Sequence, residues 1–367
     1  MAEVAFFGAR SLIDGFDEEG QEPHTLVFIG QLLDFFLNTA IARESFIVSR
    51  SVMLFIDQAA KLLIDFRQQA AGVISYLFRA FISHPKLQSL AVKTLREYSQ
   101  YCKSLFTLEI VASIHSFLSQ HYALLSLEHA QMLAETLTMT VSAIDKNNLG
   151  QNLNQVSALP MQTLQAVSDQ MDRFQILKAF SLLTSMIKGV EDMSQQDLER
   201  VLLPLFNQTW PSLVFVLRNR SNDAGLVDTC CEFLIRAAKA LKTGLAPFFS
   251  TVKHELVQTF AVNPKNFRCV ETLSVLLRIL GHSQGQLQQE IGGSIEDLCQ
   301  LILPKTFKSA LKPGVEDSFV NRIDVDVTTQ FASLLNQVVS INPEMFISTE
   351  SFDECVALFS QVIAQVN

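Results

Sequence analysis

The chain has 367 residues, a net charge of −9, a pI near 5.3 and a hydrophobic content of 49%. That length suits two or three compact domains or one elongated array, and the acidic balance argues against a surface built to bind DNA or RNA, which needs a basic face. Only 14 Gly and 10 Pro are present, which disfavours an all-β sandwich or barrel with its frequent turns.

In chain order, residues 1–22 read as an irregular segment, a short apolar piece followed by an acidic loop. It has no basic n-region and no long apolar h-region, so it is not read as a signal peptide. Pro23 opens a helix with Leu26, Ile29, Leu32, Leu33, Phe36 and Leu37 at helical spacing. Further helical stretches are predicted over Phe46–Phe66 and Gly72–Ile82, with a break at His84–Pro85. The next helix places Leu87, Leu90, Ala91, Leu95, Tyr98 and Cys102 inward, and two more follow at Leu108–Ser119 and Leu127–Ile144.

Residues 145–155, DKNNLGQNLNQ, are the most polar stretch and are expected to be a linker between helical repeats over 23–144 and 156–367. Beyond it helices are predicted near Met161–Ser168, Arg173–Gly189, Ala246–Phe260, Asn266–Leu280, Leu287–Leu311, Val325–Ile341 and Phe352–Val366. Pairs of helices recur at roughly 40 residues, the period of HEAT-type repeats. One pair cannot bury its apolar face alone, so the expected fold is all-α, with antiparallel helical hairpins stacked into a curved solenoid. Both ends of the chain are apolar where a capping repeat would be polar, so the natural array is expected to be longer than this chain.

No catalytic grouping emerges. The seven histidines, His24, His84, His115, His121, His129, His254 and His282, form no H-x-x-x-H or H-E-x-x-H pair, and no cysteine stands at ligand spacing to them. Neither the GHSQGQ stretch at 281–286 nor the Gly pair at 292–293 follows a strand, and there is no phosphate-binding loop or nucleophile elbow. Neither an enzyme activity, a cofactor nor a bound metal is therefore expected. Cys102, Cys230, Cys231, Cys269, Cys299 and Cys355 lack C-x-x-C pairing and read as buried free thiols, with Cys230 and Cys231 on different helix faces. The apolar stretches are interrupted by charges such as Asp57, Lys61 and Asp65, so no membrane span is expected. Asp317, Asp324 and Asp326 read as a loop leading into a helix N-terminus. Phe stripes read as core, with Phe248 and Phe249 near a turn as conceivable peptide-docking positions.

The stretch Leu198–Ser250 organises the rest. Its first helix has Leu198, Leu202, Leu205, Phe206, Leu213 and Leu217 on one face, with Trp210–Pro211 in the middle. The turn RNRSNDAG follows, rich in residues that tolerate non-helical backbone. A second helix buries Leu226, Cys230, Phe233, Leu234, Ala237 and Leu241 and presents Asp228, Glu232, Arg236, Lys239 and Lys242 opposite. This acidic-to-basic order suits the helix dipole and an i,i+4 pair between Glu232 and Arg236. Arg236, Lys239 and Lys242 are also the candidate contact for an acidic or phosphorylated ligand.

These residues carry a resemblance. Trp210–Pro211, Cys230–Cys231, Lys242–Gly244 and Pro247–Phe248 stand in an order that resembles the importin-β superfamily, in its transportin-SR, importin-thirteen and yeast Mtr-type branch. The segments at 84–106, 263–276 and 326–346 are similar to it as well. The resemblance implies a nuclear transport receptor acting in nucleus and cytoplasm, regulated by the GTPase Ran, contacting nucleoporins and wrapping protein cargo in a HEAT superhelix. It also implies that the N-terminal repeats that grip Ran lie outside this chain. Where the family's cargo helix carries an arginine ridge, this sequence has Thr229 and Glu232, and basic residues only at Arg236, Lys239 and Lys242. A HEAT-repeat scaffold organising a multiprotein complex is the alternative, and neither reading invokes direct nucleic-acid or membrane binding.

Overall fold

The structure, a computed structural model, describes residues 23–39, 44–144, 149–263, 265–280 and 325–341, with scattered positions between 343 and 360. Its helices are α1 (Pro23–Asn38), α2 (Phe46–Ala59), α3 (Ala70–Ser83), α4 (Gln88–Cys102), α5 (Leu108–His121), α6 (Leu127–Ile144) and α7 (Leu149–Gln165). They continue as α8 (Arg173–Gly189), α9 (Gln195–Asn219), α10 (Ala224–Leu241), α11 (Phe249–Val262), α12 (Arg268–Leu280) and α13 (Val325–Ile341). No strand occurs among the described residues. Short 3-10 turns at Leu62–Asp65, Pro85–Leu87, Lys103–Leu105 and Lys242–Phe248 carry several of the connections.

The chain divides into two compact units, one of Met1–Leu159 with Ser185–Met193 and one of Pro160–Thr184 with Ser194–Asn367. In the first, α2, α4 and α6 pack on one another in succession, while α3 and α5 lie against α4 and α6. In the second, α10, α12 and α13 form the succession, with α9 and α11 against α10 and α12. The fold is an all-α helical-repeat solenoid, as the 3.6-residue periodicity leads one to expect. Contacts between equivalent positions of neighbouring repeats span 39 residues for Arg96 and Glu135 and 42 for both Cys102 to Ala60 and Thr259 to Leu217.

The cores are apolar. In the first unit Phe55, Tyr98, Ile114 and Leu137 are fully enclosed; in the second, Phe180, Phe206, Phe233, Phe249, Phe260 and Phe331 are. Half-buried charges also link helices in the first unit. Glu135 of α6 accepts from Arg96 of α4 at 2.8 Å and from Lys188 at 3.2 Å. Nearby, Gly189 approaches α6 so closely that an added Cβ would lie 2.5 Å from the Glu135 carbonyl oxygen.

Two expectations are corrected. Residues 149–155 of the expected linker belong to α7, because Leu149, Leu153 and Val156 recur at helical spacing and are buried, while Gln151, Asn154 and Gln155 take the exposed face. The helix expected over Phe46–Phe66 ends at Ala59 and gives way to 3-10 turns, which let Leu63 be buried. The segment 1–22, Asp317, Asp324, the glycines at 281–286 and 292–293, Cys299, and the helix expected at Leu287–Leu311 lie outside the described residues, as does most of Phe352–Val366. No described helix is long and apolar enough to cross a membrane.

Candidate functional site

The hairpin of α9 and α10 is fixed at its turns and by the packing between its helices. Ser194 caps α9 by accepting from the Asp197 amide at 3.3 Å, and Asp197 in the first turn complements the helix dipole. Pro204 and Pro211 both lie inside α9 and on its exposed side. Asp223 caps α10, accepting from the Leu226 amide at 3.2 Å, and it also accepts from Arg173 at 2.6 Å. Partial burial would raise the Asp223 carboxyl, but the Arg173 guanidinium and the Leu226 amide outweigh it and hold the group below the usual carboxylate range.

The turn reaches its neighbours on both sides. Arg220 donates to the carbonyls of Ser168 at 3.2 Å and Met171 at 3.3 Å, and also to that of Asp169. The Ser221 carbonyl accepts from Asn263 at 3.2 Å and from Asn266 at 2.8 Å. Arg218 pairs with Glu255 of α11, a carboxylate almost wholly enclosed. Orphan carbonyls at helix ends are thus satisfied by side chains of the adjacent repeat.

Between the helices lies an aromatic cluster. Phe206 stacks on Phe233 at 6.1 Å and on Trp210 at 5.8 Å, and meets Phe248 edge-on at 5.1 Å. The docking role considered for Phe248 and Phe249 is therefore corrected: Phe249 is 1% exposed and Phe248 is half-buried against Phe206. Cys230 and Cys231 are both fully buried, because α10 is covered by α9 on one side and α12 on another.

The charged stripe of α10 survives, but much of it is internally paired. Glu232 meets Arg236 at 3.5 Å, the expected i,i+4 pair, and Arg268 of α12 lies 3.9 Å from Glu232. Arg268 also pairs with Glu271. Asp228 beside them is pushed above the usual carboxylate range by burial, which outweighs the Arg268 charge. Arg236 is half-buried, whereas Lys239 and Lys242 are exposed and make no ion pair among the described residues. Lys242 lies past the helix end with φ of 47°, a left-handed backbone that favours glycine. Sequence reasoning missed Arg268, because its approach to Glu232 depends on repeat stacking.

The arrangement offers a partly compensated charged face with two free cations, suited to non-covalent contact with another macromolecule. Among the described residues no group of three or more His, Cys, Asp or Glu could hold a metal ion.

No family model matches the sequence, and no curated protein matches it. Solved structures do share the fold. An importin13 in its cytosolic state aligns with a TM-score of 0.74 at 14% identity, over 97% of this chain and 40% of that one. An importin beta aligns at 0.57 and 14% identity, over 98% and 49%. A structure of Kap95p, whose binding induces the switch loops of RanGDP to adopt the GTP-bound conformation, aligns at 0.50 and 17% identity, over 99% and 47%. The chain thus spans less than half the length of each of these proteins.

Proposed function

We propose that this chain is, or is part of, an importin-β-type nuclear transport receptor that holds protein cargo on a helical-repeat solenoid. The observation carrying this reading is the likeness to importin13 over 97% of the chain, joined to the order of Trp210–Pro211, Cys230–Cys231 and Pro247–Phe248 along one hairpin. The receptor works by non-covalent exchange: cargo is bound on a helical face and released when Ran in its GTP form engages the solenoid, in nucleus and cytoplasm. Nucleoporins are its further partners. Within α10 and its cap, Arg236, Lys239 and Lys242 are the proposed cargo contacts, with Lys239 and Lys242 contributing most because they are exposed.

Pulldown with GTP-locked Ran, using a full-length protein that includes the N-terminal repeats expected outside this chain, followed by elution of bound proteins, tests the reading. Nucleotide-dependent release supports it, and cargo retention that ignores the nucleotide state counts against it. A HEAT scaffold is the second reading, favoured by the ion pairing of Glu232, Arg236, Arg268 and Glu271, which leaves little uncompensated charge for an acidic ligand. Charge reversal at Arg236 and Lys239 tests the contact itself: unchanged cargo binding with unchanged folding leaves these residues as a solvated helix face only, while the Ran pulldown separates receptor from scaffold.

A further inference from the structure

Three described cysteines share the interior where α10 packs on α12. Cys231 Sγ lies 4.0 Å from Cys269 Sγ, and both side chains are fully buried. Cys230 is fully buried too. The two sulfurs are close to van der Waals contact, and their residues stand 38 apart, on neighbouring repeats. A disulfide needs sulfurs about 2 Å apart with Cβ atoms roughly 3.5–4.5 Å apart. Bond formation therefore requires the two sulfurs to close by about 2 Å. Cys230 cannot pair with Cys231, because consecutive residues in a helix hold their Cα atoms about 3.8 Å apart, below the usual disulfide range.

Cys269 is the second residue of α12, and its amide donates to the Asn266 carbonyl at 3.0 Å. A helix's first turn is where it opens most readily, and the dipole there favours a thiolate. In the closed state the contact with Cys231 and burial push the Cys269 thiol up, and both cysteines are free rather than bridged.

We propose that Cys231 and Cys269 form an oxidisable pair that hydrogen peroxide converts into a disulfide stapling α10 to α12. When the first turn of α12 opens, Cys269 loses its proton and its sulfur attacks one peroxide oxygen. The O–O bond breaks, a sulfenic acid forms, and the departing hydroxide takes up the proton to leave as water. The Cys231 sulfur then attacks the sulfenic sulfur; the S–S bond forms, the S–O bond breaks, and a second water leaves with the Cys231 proton. Two thiols lose two electrons, and one peroxide becomes two waters. The staple holds the helix bearing Arg236 and Lys239 against the next repeat. It stands independently of the proposed transport role.

The test is a peroxide titration of the native full chain, quenched by alkylation and mapped as non-reduced peptides. The expected result is one Cys231–Cys269 peptide pair that has lost two hydrogens and is reversed by a thiol reductant. It is absent in Cys231→Ala and Cys269→Ala, retained in Cys230→Ala, and accompanied by a melting temperature higher by roughly 5 °C or more. A link formed only after denaturation, a Cys230–Cys269 link in the wild type, or oxidation that stops at unlinked cysteine acids would overturn it. The wild-type map decides the matter even where an alanine variant fails to fold.

Discussion

The two units hold neighbouring repeats together by different means. In the first, the polar link sits at mid-helix: Glu135 receives Arg96 from one repeat and Lys188 from another, with its own side chain 15% exposed. In the second, many polar links lie at turns and helix ends: Arg220, Asn263 and Asn266 satisfy main-chain carbonyls of adjacent repeats, Arg218 in the last turn of α9 pairs with Glu255, and Arg268 in the first turn of α12 approaches Glu232. A half-buried charge cluster depends on every member, because removing one leaves the others desolvated without a partner. Turn clamps to carbonyls involve a single charge or none and are therefore less sensitive to salt.

The largest effect should come from the aromatic cluster. Phe206→Ala removes a ring packed against Trp210, Phe233 and Phe248 and should destabilise by about 3–5 kcal/mol. Chemical denaturation followed by fluorescence of Trp210, the single tryptophan, measures this; a loss below about 1 kcal/mol would mean that the cluster does not anchor the second unit.

Glu135→Gln should cost about 1–3 kcal/mol, with a midpoint less dependent on salt than the wild type. If salt dependence were equal in the two proteins, the contrast between mid-helix and turn linkage would fail.

The Asp223 cap gives a pH signature. Its carboxyl lies below the usual range in the folded state, so its contribution is full above the ordinary carboxylate pKa of about 4 and is lost as pH falls through the lower folded value. Asp223→Asn keeps a capping side chain but not the charge, and should differ from wild type by about 0.2–1 kcal/mol at pH 7, since Arg173 is exposed. Stability curves measured from pH 7 downward should converge; a gap that widens with acid would refute this assignment.

The smallest effect runs the other way. Lys242→Gly relieves a left-handed backbone at the end of α10 and should be neutral or stabilising by up to about 1 kcal/mol.

Helix identity was legible wherever apolar residues repeat at one period. The α9–α10 hairpin followed from Leu198 to Leu241, and the Glu232–Arg236 pair from its spacing. Residues 149–155 misled because asparagine and glutamine occupy a solvated helix face as readily as a loop. The start expected near Met161 had the same origin, with Pro160 standing inside α7. The partners that define the candidate face could not be read from periodicity. Arg268 reaches Glu232, and Cys269 reaches Cys231, across a whole repeat, and such separations become contacts only once helices stack.

The two prolines of α9 carry a mechanical consequence. Each removes an amide that would bond four residues back, so the helix's own ladder lacks two amide donors, at Pro204 and Pro211, on its exposed side. Seven residues is nearly two full turns, so both interruptions fall on one azimuth. Bending compliance is then concentrated in a single plane, and the rod can bow along its solvent side like a leaf spring while its buried edge stays pinned by Phe206 and Leu213.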